Sequence, residues 1–188
     1  MTGARDGASS DFKREMLSQL PALRAFAVSL CGRHDQADDL LQNTILKAWS
    51  GQQGYTPGTN MKAWLFRILR NDFYSELRSR GRELQDSDGH HSARLSVHPD
   101  QLASLDLKDF RRALEVLPSD HREAIVLVGA SGFSYEEAAA ICGCAVGTLK
   151  SRVNRARARL RELLSLADDD DFGPDAAFHG AGTAGKRV

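Results

Sequence analysis

The sequence predicts an all-α protein made of two small helical domains joined by a flexible linker. Apolar residues recur at helical spacing through most of the 188 residues, and no alternating run is long enough to build a sheet. A stretch poor in apolar residues interrupts this pattern, holding Gly81, Asp86, Ser87, Asp88, Gly89, His90, His91 and Pro99. The apolar fraction of 41% is enough for a small core on either side of it, and 27% charged residues cover the surfaces. The expected division is a first domain over 11–82, a linker over 83–101, a second domain over 102–166 and a disordered acidic, then Gly/Ala-rich tail over 167–188.

Phe12, Met16 and Leu20 share one face of a first helix. Pro21 suits the first residue of the second helix, where its missing N–H costs nothing, and Gly32 ends that helix after Cys31. Asp35 is placed to cap a third helix with the stripe Ala37, Leu40, Leu41, Thr44, Ile45 and Ala48. Three glycines and a proline make 51–58 a loop. A fourth helix then carries Met61, Trp64, Leu65, Ile68 and Leu69 inward and ends near Arg80. In the second domain Leu107, Phe110, Leu114 and Leu117 form one stripe, closed by Pro118. Ser119 is placed to cap the next helix, and Ser134 with Glu137 matches a capping box for a short helix to Ile141. Gly143 breaks that helix, and a long basic helix runs from Val146 to about Leu166.

Net charge is zero, but its distribution is not even. Lys150, Arg152, Arg155, Arg157, Arg159 and Arg161 form one acid-free basic run. Lys62, Arg67, Arg70, Arg78, Arg80 and Arg82 form a second, against only Asp72 and Glu76. Two separate basic stretches imply two nucleic-acid-facing surfaces. The longest apolar run, Ala124 to Ala130, is too short to cross a bilayer, and no secretory signal opens the chain, so a cytoplasmic location is expected. Cys142 and Cys144 lack a second ligand pair, so they are read as packing residues and no metal is expected. His90, His91 and His98, with Asp86 and Asp88, are read as solvated linker residues. No nucleophile with a base and no phosphate-cradling loop occurs, so neither catalysis, a cofactor nor a small-molecule substrate is expected.

Residues 134–150 have the anatomy of a helix-turn-helix: alanines that let two helices cross closely, a turn glycine, and Val146 with Leu149 anchoring the second helix. Its outward positions are Gly147, Thr148, Lys150, Ser151, Asn154 and Arg155. Thr148 and the helix start suit phosphate, while Lys150 and Arg155 suit guanine O6 and N7. Leu117-Pro118, Arg122-Glu123-Ala124, Ser134-Tyr135-Glu136-Glu137 and the run from Val146 to Arg152, followed by Arg155-Ala156-Arg157, resemble region 4 of extracytoplasmic-function (ECF) sigma factors. That resemblance implies a major-groove reader of the −35 promoter element, with Lys150, Ser151, Arg152, Asn154 and Arg155 as its contacts.

The first domain resembles region 2 of the same family. Asp38-Asp39-Leu40-Leu41-Gln42-Asn43-Thr44 with Ala48-Trp49 is similar to the segment that docks on the β′ clamp helices of core RNA polymerase, a partner that also offers its β flap. Asp35, Asp38, Asp39, Gln42 and Asn43 are the implied contacts, although Asp35 to Asp39 also suit a helix start. The run from Trp64 to Asn71 resembles regions 2.3 and 2.4, and the resemblance implies that the loop before this helix captures an unpaired base of the −10 element. Tyr55, Thr59, Asn60 and Lys62 in the loop, and Arg67, Arg70 and Asn71 on the helix, are the implied contacts, with Trp64 assigned to the core. Segments 20–27 and 127–134 resemble the general-stress-response subgroup of alphaproteobacteria, which implies control by a NepR-type anti-sigma factor and promoters with GGAAC and CGTT elements. Two alternatives are a sigma-like decoy that binds an anti-sigma factor without initiating, and a stand-alone helix-turn-helix regulator.

Overall fold

The structure, a computed structural model, describes residues 3–86 and 105–164, with side chains over 10–82 and 108–164. His90, His91, His98 and Asp88 and the tail over 167–188 lie outside these residues. Every described element is a helix or a turn. The first domain holds α1 (Gly3–Ser18), α2 (Leu20–Cys31), α3 (His34–Ser50) and α4 (Met61–Asp86). The second holds α5 (Leu105–Val116), α6 (Ser119–Ile125), α7 (Tyr135–Cys142) and α8 (Val146–Leu164).

The helix boundaries follow local chemistry. Gly32 takes the left-handed conformation (φ 71°) and its N–H returns to the Val28 carbonyl at 2.9 Å, which stops α2. Asp35 does not cap α3. Arg33 holds the extended cap position and Asp35 lies inside the first turn, where Arg33 pairs with it at 2.5 Å and holds its carboxyl below the usual range. The carboxylate still favours the positive end of the helix from there. Ser119 is likewise the first helical residue, because Pro118 (ψ 143°) already supplies the extended entry. Helix α4 continues past Arg80 to Asp86, since Glu83, Leu84 and Gln85 are good helix formers that outweigh Gly81.

In the first domain α1 to α4 close over Phe12, Met16, Leu23, Phe26, Leu40, Leu65 and Leu69, all buried. Thr44 is completely buried but satisfied, its hydroxyl donating to the Leu40 carbonyl at 2.8 Å. In the second domain Ala124, Leu127, Ala138, Leu149, Val153, Ala156 and Leu160 form the centre. Helix α6 runs into a wide π turn, Val126–Ala130, that carries the chain to Phe133. The two cores meet there: Phe66 of α4 stacks on Phe26 at 4.8 Å, and Phe133 stands edge-on to Phe66 at 5.0 Å.

Candidate promoter and polymerase interfaces

The capping box forms as the sequence predicts. Ser134 Oγ accepts from the Glu137 N–H at 3.1 Å, and Glu137 Oε2 accepts from the Ser134 N–H at 3.0 Å. Gly143 makes the left-handed turn (φ 63°) and its N–H returns to the Ala139 carbonyl. Leu149, Val153, Ala156 and Leu160 therefore face inward, and Gly147, Thr148, Lys150, Asn154 and Arg155 face outward and exposed. Ser151 is half-buried at the edge of this face. Arg152 is not on it, because its guanidinium turns to Asp120 at 3.2 Å and braces α8 against α6. Replacing Ser134 with alanine is expected to lower stability by about 1 kcal/mol, read by urea melts, because one orphan N–H of α7 loses its acceptor.

Helix α4 carries the second set. Asn60 Oδ1 accepts from the Ala63 N–H at 3.0 Å, so Asn60 caps the helix. Arg67 and Asn71 are exposed one turn apart, and Thr59 is exposed in the preceding loop. Three other expected contacts are already engaged by the second domain. Asn60 Nδ2 donates to Glu137 Oε1 at 2.9 Å, Lys62 Nζ to the Ser131 carbonyl at 2.5 Å, and Arg70 Nε to Glu123 Oε1. Tyr55 departs from expectation. It is 7% exposed, packed between Phe12 and Trp64, with its hydroxyl donating to the Thr59 carbonyl at 2.9 Å. A ring held in that core is no platform for a base, and its role is to anchor the loop.

On α3, Asp38 pairs with Arg24 at 2.8 Å and Asp35 with Arg33, which leaves Asp39, Gln42 and Asn43 as the exposed polar positions. The sequence reading placed Trp49 in the docking segment by resemblance but missed Leu46, which joins it to the polar positions. Leu46 is 63% exposed and Trp49 is 40% exposed, so a polar-to-apolar stripe runs down one side of α3 at spacings of three and four. The signal was the break in the inward pattern at 46 and 49.

The cysteines separate by burial, which pushes the Cys31 thiol up to about 11 and Cys142 up to about 12. Cys144 is half-buried. A maleimide at pH 8 is expected to label Cys144 first and leave the other two protected, as followed by mass spectrometry of peptides. Among the described residues no three metal-ligating side chains gather, and no helix is long and apolar enough to cross a membrane.

The family description "Sigma-70 region 2" matches residues 16–83 and "Sigma-70, region 4" matches 107–160. The chain is 54% identical to "ECF RNA polymerase sigma factor EcfG" of Rhodopseudomonas palustris (strain TIE-1), over 89% of this chain and 92% of that one. It belongs to the ECF family of RNA polymerase sigma factors.

Sigma factors bind core RNA polymerase and promoter DNA and initiate transcription, and this chain carries both matched regions. Among solved structures it is similar to the sigma factor RpoE of Bartonella quintana, solved in complex with the anti-sigma factor NepR. The identity is 63%, over 83% of this chain and 98% of that one, with a TM-score of 0.76. The anti-anti-sigma factor PhyR of the same organism shares the fold, at TM-score 0.54 and 15% identity over 82% of this chain and 50% of that one. The chain is thus a sigma factor in sequence as well as in fold, which sets aside both the decoy and the stand-alone regulator.

Proposed function

We propose that this sigma factor directs polymerase to promoters of general-stress-response genes and is held in check by a NepR-type anti-sigma factor in the cytoplasm. The observation that carries this reading is its 63% identity, over 98% of the solved relative, to a sigma factor captured with NepR. Within it, the outward face of α8 (Thr148, Lys150, Ser151, Asn154, Arg155) reads the −35 element. Thr59, Asn60, Lys62, Arg67, Arg70 and Asn71 take the opened −10 element, and the α3 stripe from Asp39 to Trp49 docks on the β′ clamp helices. The basic character of the first two surfaces fits the phosphate backbone, which dominates affinity and makes it salt-dependent.

In vitro transcription tests the reading: purified core polymerase on a template carrying GGAAC and CGTT elements should give a correctly started transcript only when this protein is added. A NepR-type protein should abolish it in stoichiometric amount. A transcript that the anti-sigma protein leaves untouched would keep the sigma role and remove the proposed control. No transcript from this template, with activity on another promoter class, would remove the stress-response assignment.

A further inference from the structure

Helix α8 has a basic edge beside its reading face. Thr148, Arg152, Arg155 and Arg159 recur at spacings of four, three and four, so they line one side of the helix. The core row of Leu149, Val153, Ala156 and Leu160 separates this edge from Lys150, which stands on the opposite flank. Thr148, Arg155 and Arg159 are exposed, and Arg159 holds Glu162 of its own helix at 2.7 Å. Arg152 alone of the four is half-buried and drawn to another helix. Its Nε lies 3.2 Å from Oδ2 of Asp120, in the first turn of α6. Asp120 Oδ1 accepts from the His121 N–H at 3.0 Å, so the carboxylate is steadied by its own helix.

As a brace the pair contributes little. The Asp120 side chain is 42% exposed and the Arg152 side chain 25%, and ion pairs open to water stabilise weakly. Helix α8 is already held by its four core residues. The larger effect of Asp120 is on where a charge sits. A guanidinium on the edge of a recognition helix takes backbone phosphate oxygens, and the carboxylate presents the same acceptor chemistry from the neighbouring helix.

Building on the −35 assignment of α8, we propose that Asp120 sets the strength of promoter binding by competing with a backbone phosphate for Arg152. Arg152 is then a phosphate contact held in reserve, while Lys150 and Arg155 read the bases. Backbone contacts carry no sequence information, so the competition lowers affinity for every duplex alike and leaves the choice of bases to the reading face. Sequence-independent binding, which rests on such contacts, is held down by the same carboxylate.

The test uses the holoenzyme, core polymerase with the full chain, and fluorescein-labelled promoter duplexes read by anisotropy. One duplex carries GGAAC and a second carries a permuted −35 element. Asp120→Asn removes the charge and keeps Oδ1 for the His121 N–H. It is expected to tighten binding about fivefold on both duplexes and to steepen the slope of log affinity against log salt by about 0.9, as for one more phosphate neutralised. In an Arg152→Gln background the same substitution is expected to change affinity by less than about twofold, because the shared guanidinium is gone. A thermal melt of the free protein is the structural control. The Asn variant loses a favourable charge from the first turn of α6 and should be no more stable than its parent, so its gain in affinity cannot come from firmer packing.

Unchanged or weaker binding by Asp120→Asn overturns the competition and leaves Asp120 a brace. Equal gains with and without Arg152 overturn it too, since they would report only the field of one carboxylate. A gain confined to GGAAC does the same by making Arg152 a reader of bases. Failure of the underlying −35 assignment looks different: Lys150→Ala with Arg155→Ala would then leave the preference between the two duplexes unchanged.

Discussion

Replacing Lys150 and Arg155 together with alanine is expected to lower transcript from a promoter with a strong −35 element about thirtyfold or more. Each side chain stands outward on the face of α8 proposed to read the major groove, and a good base-edge pair contributes about 1–3 kcal/mol of discrimination. Two such losses at the lower figure give about 2 kcal/mol, and each 1.4 kcal/mol is roughly a factor of ten. Folding should be untouched, because the helix is held by Leu149, Val153, Ala156 and Leu160 on the opposite side, and alanine is the better helix former. Among the described residues Lys150 Nζ lies 5.5 Å from the Tyr135 ring, a contact that contributes little at so exposed a position. The decisive measurement is transcription from a set of templates substituted one position at a time in the −35 element. Loss of preference at single positions assigns the readers; an unaltered preference profile would remove α8 from promoter reading.

Reversing and breaking the α3 stripe, with Asp39→Arg and Leu46→Asp in one chain, is expected to weaken binding to core polymerase by a comparable factor. Leu46 is the most exposed large apolar residue described, and an apolar side chain so placed beside exposed Asp39, Gln42 and Asn43 has the composition of an interface centre with a polar rim. Losing one such anchor typically costs about 2 kcal/mol of binding. The inward stripe of Ala37, Leu40, Thr44 and Ala48 is unchanged, so thermal stability should move little. Competition of the variant with the parent protein for a limiting amount of core polymerase gives the factor. Equal competition would clear α3 of the docking role, and −10 oligonucleotide binding serves as the control that should not change.

The helices themselves were legible because their signals are local: the spacing of Phe12 and Met16, the stop at Gly32, the Ser134–Glu137 box and the turn at Gly143. Outward positions of α8 could be read for the same reason, since the period that buries Leu149 and Val153 exposes Lys150 and Arg155. Local rules erred where two signals competed. Asp35 is a good cap residue, but Arg33 two positions earlier gave the chain both the extended turn and a partner for the carboxylate. Tyr55 sits in a glycine-rich loop and looked exposed, whereas Phe12 and Trp64, brought from α1 and α4, enclose it.

The seam between the domains was out of reach for a different reason. Arg70 and Glu123 are 53 positions apart, Asn60 and Glu137 are 77 apart, and no periodicity links residues across a linker. Lys62 and Arg70 read as part of a basic track, which they are, and their chemistry does not say which acceptor they hold. A glutamate in the interior of α6 reads as surface until its partner is seen, because an unpaired buried carboxylate is too costly to expect.

The bond between Asn60 and Glu137 joins two helix starts without belonging to either. Asn60 gives Oδ1 to its own helix and only Nδ2 to the other domain; Glu137 gives Oε2 to its own helix and only Oε1 across. Cutting the bridge therefore leaves both N-termini fully capped, and each freed atom meets water. The two domains can come apart at this edge as intact bodies, with no turn of α4 or α7 unwinding. Overall dimensions would change in solution scattering while the far-ultraviolet dichroism of the chain stayed the same.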